Sequence, residues 1–198
     1  DLFDDDAAAT LYAAAQEKLG NVDIFINNTG VPPPSDVATP ETALWHSQID
    51  AKLIRVIENT NLSVGDRKHS NRGRVLTIAS AGVLQPIPNL AMSNTIRSAL
   101  VGWNKSLSNE VARHGITANM LLPGRIDTER VAQLDAETAD KLGISVDEAV
   151  AAARATIPMG RYGTVAEFAS VGAFLVSEPA SYLTGALIRC DGGLVKGV

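Results

Sequence analysis

The chain alternates between two hydrophobic rhythms. Ala8, Leu11, Ala15 and Leu19 recur at helical spacing, preceded by Asp4-Asp5-Asp6 and followed by Gly20. Carboxylates suit a helix N-terminus, where N–H groups are free, and glycine suits a helix end. The apolar run 22–26 then predicts a buried parallel strand. Three consecutive prolines at 32–34 enforce a loop, and Thr39-Pro40 predicts the start of a helix reaching about Ile57. The polar stretch from Glu58 to Gly73 predicts a frayed or irregular continuation. Strands are expected at 74–79, 116–122 and 186–189. Between them, Ile96, Leu100, Trp103, Leu107 and Val111 mark the core face of a helix from Ala91 to about His114. Residues 130–155 predict a helical excursion, with capping boxes at Ser145–Glu148 and again at Thr164–Glu167. Strand–helix alternation without repeats implies one α/β domain over 1–198, a doubly wound parallel sheet with helices on both faces.

Composition narrows the partners. An apolar fraction of 45% over 198 residues supports a proper core. A net charge of −5 argues against nucleic acid, and the basic run from Arg67-Lys68 to Arg72 and Arg74 reads as a solvated loop. The single Cys190 excludes an internal disulfide and suits a reducing cytoplasm. No apolar run approaches the ~18 residues of a membrane span. His46, His69 and His114 lie far apart, so no metal site is expected, and no G-x-S-x-G elbow surrounds a serine.

Several segments, in order, resemble one family. Residues 22–30 end in Asn27-Asn28-Thr29-Gly30, similar to the "D-hydrophobic-N-N-A-G" segment of short-chain dehydrogenases/reductases. Pro123-Gly124-Arg125-Ile126-Asp127-Thr128 resembles their "PG-x-I-x-T" element, and 157–163 and 182–193 resemble their C-terminal pattern. The resemblance implies a Rossmann-like fold and NAD or NADP as cofactor. It places Asp1 and Leu2 at the adenine, Asn27, Thr29 and Gly30 along the adenosine ribose, and Pro123, Gly124, Ile126 and Thr128 beside the nicotinamide. It also implies a homodimer or homotetramer, and a helical substrate lid over 126–156.

Two departures stand out. No G-x-x-x-G-x-G phosphate loop occurs in these residues. In the family a βαβαβ half of about 55–60 residues comes before this point, at ~30 per unit. The expectation is that such a half precedes Asp1 in the natural protein, that strand 22–26 is otherwise an exposed apolar edge, and that this chain binds dinucleotide weakly. The catalytic set is also altered. The family uses Asn, Ser, Tyr and Lys. Alignment puts Ser80 at the Ser position, Ser93 at the Tyr position 13 residues later, Arg97 at the Lys position and Lys52 at the Asn position. An aliphatic hydroxyl is far less acidic than a phenol, so Ser93 can donate a hydrogen bond or relay a proton but cannot hold a phenolate-like charge. Arg97 keeps the positive charge and can bridge ribose hydroxyls with its planar fork.

The reading that follows is an NAD(P)-dependent oxidoreductase interconverting a small-molecule carbonyl and an alcohol, similar to 3-oxoacyl-acyl-carrier-protein reductases. Ser80, Ser93, Arg97 and Lys52 are its catalytic candidates, and Arg97 doubles as a cofactor contact. The alternative is a catalytically impaired or non-catalytic binding protein on the same scaffold.

Overall fold

Continuous apolar runs bounded by polar turns have one stable use in an α/β chain, as strands covered on both faces. The computed structural model, which describes residues 1–38, 41–67 and 72–197, has four of them. They are β1 (Ile24–Asn27), β2 (Gly73–Ile78), β3 (Ile116–Pro123) and β4 (Leu187–Cys190), all parallel, in the order β1-β2-β3-β4. Each boundary lies within a residue or two of the sequence expectation.

Helices cover both faces. α1 (Ala7–Leu19) packs against α3 (Arg55–Arg67), which is preceded by α2 (Thr42–Ile49) and a π-helical turn, Asp50–Ile54. On one face, Val56 and Val64 of α3 meet Leu100, Leu107 and Val111 of α4 (Ala91–Val111) above Val75, Ala79, Ile116, Ala118 and Met120. On the other, Leu175, Phe168 and Val171 of α7 (Val165–Leu175) cover Leu76 and Leu121. Between β3 and α7 the chain makes an excursion through α5 (Glu129–Leu142) and α6 (Val146–Ala155), which pack on each other. Both expected capping boxes are formed.

Four expectations need correction or limits. From Glu58 to Arg67 the segment is not frayed but helical, while 68–71 lie outside the described residues. Asn59, Thr60 and Ser63 are buried, and the Thr60 hydroxyl donates back to the Val56 carbonyl at 2.7 Å. Arg74 is not part of a solvated run. It is buried in β2, donating to the carbonyls of Gly73, Gly115 and Ser177 and pairing with Glu178. The Asp6 side chain does not cap α1; it accepts from Thr10, while Asp5 pairs with Arg55. Finally, the helix from 42 does not run uninterrupted to Ile57 but passes through the π-helical turn. Thr39, Pro40, Lys68 and His69 lie outside the described residues.

β1 is paired on one side only, and Ile24 and Ile26 on it are half-exposed. The opposite extreme is Leu121, fully buried between β2, β4 and α7. Leu121→Ala should destabilise the fold by about 2–5 kcal/mol, the cost of lost burial plus a residual cavity, read by urea denaturation.

Candidate active site

The sheet register decides where the site can be. Asn27 pairs with Thr77, Ile78 with Leu121 and Pro123 with Cys190. The chain therefore leaves β1, β2 and β3 on the same edge, in the segments 28–30, 79–83 and 124–128. In an open parallel sheet, ligands bind beyond this carboxyl edge. Asn27 is buried and its amide donates to Thr60 at 2.9 Å and Thr77 at 3.3 Å, tying the end of β1 to α3 and β2.

Ser80 follows β2. Its hydroxyl accepts from the Gly82 amide at 3.0 Å and so caps the short turn 81–83. A Cβ at Gly82 would lie 2.5 Å from Asn94 Oδ1, so only glycine lets α4 approach this turn. The start of α4 is held from two sides. Asn94 exchanges hydrogen bonds with both backbone groups of Ile87, and the Ser35 backbone is tied to Asn89 and Ala91. These ties set Ser93 and Arg97 on the buried face of α4, beside the turn of Ser80.

Ser93 is 4% exposed, and its hydroxyl makes no hydrogen bond with any described residue. Arg97 is 7% exposed. Its guanidinium donates to the Ile78 carbonyl at 2.9 Å and the Thr29 carbonyl at 3.5 Å, stitching the ends of β2 and β1 together. Burial lowers its pKa. Lys52 comes from the π-helical turn, a local feature that often marks functional positions. It is 8% exposed, its ammonium lies 5.2 Å from the centroid of the Phe3 ring, and a Cβ on Gly30 would sit 3.9 Å from it. Burial first, and then the nearby Arg97 charge, lower its pKa. Ser80, Ser93, Arg97 and Lys52 are thus brought to one region.

The expected cofactor residues divide. Thr29 and Gly30 lie at the open end of β1, and the Phe3 contact brings the segment containing Asp1 and Leu2 near it. Asp1 is exposed and its terminal ammonium pairs with Asp4. Gly124 is forced by close approach, since a Cβ would lie 2.6 Å from Asp191 Cα. Ile126 is buried and bridged to Gly163. The Thr128 hydroxyl is spent on capping α5, accepting from the Val131 amide. The residues present fit the nicotinamide half of a dinucleotide in that Ser93 and Lys52 carry donors without hydrogen-bond partners among the described residues, beside the exposed Gly30 at the strand end.

Sequence reasoning missed the anchor of the 126–156 excursion. Asp135 on α5 is buried, pairs with Arg125 at 2.5 Å and accepts from the Tyr162 hydroxyl at 2.8 Å. Arg154 of α6 lies 5.3 Å from the Tyr162 ring centroid. Burial, reinforced by the bond to Asp135, raises the Tyr162 pKa. This phenol is therefore structural and not a displaced proton donor. Its only advance signal was an acidic residue on the inward side of a helix, which spacing alone does not single out. Nearby, Arg161 clasps Glu167 at 2.6 Å and holds its pKa at about 2. Among the described residues no cluster could hold a metal ion, and no helix is long and apolar enough to cross a membrane.

A parallel sheet with a polar set collected at its carboxyl edge defines an open α/β protein with its ligand cleft at that edge. Residues 1–195 match the family described as Enoyl-(Acyl carrier protein) reductase. The chain is similar to the 3-oxoacyl-acyl-carrier-protein reductase MabA of Mycobacterium avium, 30% identical over all of this chain and 73% of that protein. It is similar to the NADPH-dependent reductase BacG of Bacillus subtilis, 31% identical over 100% and 76%. Among solved structures, a variant actinorhodin polyketide ketoreductase with NADPH superposes with a TM-score of 0.92 at 30% identity, covering 100% of this chain and 76% of that one. The chain belongs to the short-chain dehydrogenase/reductase family, the oxidoreductases that use a nicotinamide cofactor to interconvert carbonyls and alcohols.

Asp135→Ala should cost about 3 kcal/mol in urea denaturation, because Arg125 and Tyr162 both lose the partner they were desolvated to meet. Glu167 has a depressed folded-state pKa, so its stabilisation is present above the ordinary carboxylate range and is lost as pH falls toward 2. The melting temperature of the wild type should exceed that of Glu167→Gln at pH 6, and the gap should close between pH 4.5 and 2.

Proposed function

We propose that this chain carries a reductase site in which Ser80, Ser93 and Lys52 take over the work of the family's Tyr, and Arg97 that of its Lys. The observation that carries this reading is the convergence of Ser80, Ser93, Arg97 and Lys52 at the carboxyl edge, with Ser93 and Lys52 free of hydrogen-bond partners among the described residues. A bound nicotinamide supplies the hydride. The Ser93 and Ser80 hydroxyls donate hydrogen bonds to the carbonyl oxygen, orienting the carbon for attack and stabilising the alkoxide. Neither hydroxyl is a strong acid, so the proton delivered to that oxygen comes from solvent, relayed through water and Ser93. Arg97, tied to Ile78 and Thr29, sets the width of the cleft and offers its remaining N–H groups to ribose hydroxyls.

NADPH is the proposed reductant, on the strength of relatives named for it. Pro123, Gly124, Ile126 and Thr128 would flank the ring, Asn27, Thr29 and Gly30 the adenosine ribose, and Asp1 and Leu2 the adenine. Affinity in this chain is expected to be weak, because its 198 residues contain no glycine-rich phosphate loop. The α5–α6 hairpin serves as the lid over a small carbonyl substrate. A homodimer or homotetramer through the helices around Lys52 and Ser93 is proposed as well, on the strength of the family resemblance.

The test is the double variant Ser93→Tyr with Arg97→Lys, assayed with NADPH on a panel of ketones. Restoring a tunable phenol should raise turnover at least about tenfold, within the range that a positioned general acid contributes. Cofactor binding without turnover in either protein would move the reading to a non-catalytic binding protein.

A further inference from the structure

A buried cation is normally matched by a carboxylate, since removing it from water uncompensated is costly. The fold obeys this at Arg74, which is buried and has Glu178, and at the partly buried Arg55, which has Glu58 and Asp5. Lys52 and Arg97 break the rule together. Both are more than nine-tenths buried, close enough to repel each other, and neither forms an ion pair among the described residues. Arg97 is at least satisfied by two backbone carbonyls. The Lys52 ammonium has only the face of Phe3, and Phe3 is itself half-exposed.

Position adds a second, independent indication. Lys52 lies in the π-helical turn before α3, and its ammonium sits 3.9 Å from where a Cβ on Gly30 would be, at the exposed end of β1. That is the edge where a ligand of such a sheet lies. Gly30 puts no side chain between the ammonium and the open loop end. The two positive charges are therefore presented to the cleft rather than neutralised within the fold.

We propose that Lys52, backed by the Arg97 charge, is an oxyanion-binding site at the end of β1, which accepts a phosphate or carboxylate group of the bound ligand. The inference rests on the reading of this edge as the ligand cleft. It assigns Lys52 a binding function that stands whether or not the site turns over. A phosphate oxyanion would come from the dinucleotide; a carboxylate would come from an acidic substrate. Either would give Lys52 its missing charge-assisted hydrogen bond.

The experiment is titration of the 198-residue chain with inorganic phosphate and, separately, acetate, followed by amide chemical shifts. Phosphate should shift the amides of Thr29, Gly30 and Lys52. Lys52→Met should weaken the binding by about tenfold or more, as expected for a lost hydrogen bond to a charged group, and Lys52→Arg should retain it. Lys52→Gln serves as the neutral variant should methionine disturb the turn, with retention of the wild-type shift pattern elsewhere as the check of folding. NADPH displacing phosphate from these amides marks the dinucleotide as the source. Displacement by acetate but not by NADPH marks a substrate carboxylate. Equal phosphate affinity in wild type and both neutral variants, or shifts confined to other residues, overturns the proposal. Phosphate bound at Lys52 with no turnover of NADPH on any ketone upholds it while removing the reductase reading.

Discussion

The β2–β3 ladder is the constraint on which the site depends. Gly73 to Ile78 pairs in register with Ile116 to Leu121, and both strands are buried on both faces. A shift of one residue would turn Leu76 and Leu121 from the α7 face to the α4 face, so the register is strongly specified. Because the strands are parallel, their carboxyl ends coincide. Ser80 and Gly124 consequently emerge at the same edge, although more than forty residues separate them in sequence.

The second level of organisation is made of polar ties rather than apolar packing. Arg97 joins the ends of β1 and β2 through the carbonyl oxygens of Thr29 and Ile78. Asn27 holds the same strand end to Thr60 and Thr77, and Asn94 and Ser35 hold the start of α4. Buried polar groups of this kind are worth little net stability when satisfied, but they specify one arrangement, because any other leaves them unpaired. The substitution of the family's Lys by Arg is intelligible in this light. A planar fork can satisfy two carbonyls and still present N–H groups to the cleft, which a point charge on a flexible stem does less well.

The α5–α6 excursion follows a different logic. It touches the sheet end through one buried carboxylate, Asp135, shared between Arg125 and Tyr162, while Leu142, Ile144 and Val146 remain substantially exposed at its tip. Its base is fixed near Gly124, and its tip is not pinned by core packing.

The sequence by itself was enough for the strands, most helix limits, both capping boxes and the family, because those rest on local periodicity, cap chemistry and ordered short motifs. It also nominated Ser80, Ser93, Arg97 and Lys52, by resemblance to the family's motifs and their separations, with Ser93 and Arg97 one helical turn apart. Three things were decided only in three dimensions. The polar stretch after Glu58 became a full helix because Asn59, Thr60 and Ser63 face a tertiary neighbour that local propensity does not see. Arg74 left its basic run for the interior because Glu178 and three carbonyls, all distant in sequence except Gly73, meet it there. The unpaired charge of Lys52 is the third, since only the π-helical turn and the burial around it turn a helix lysine into a cation facing the cleft without a carboxylate. Local rules describe what a segment can do alone; which charges find partners depends on what the fold brings beside them.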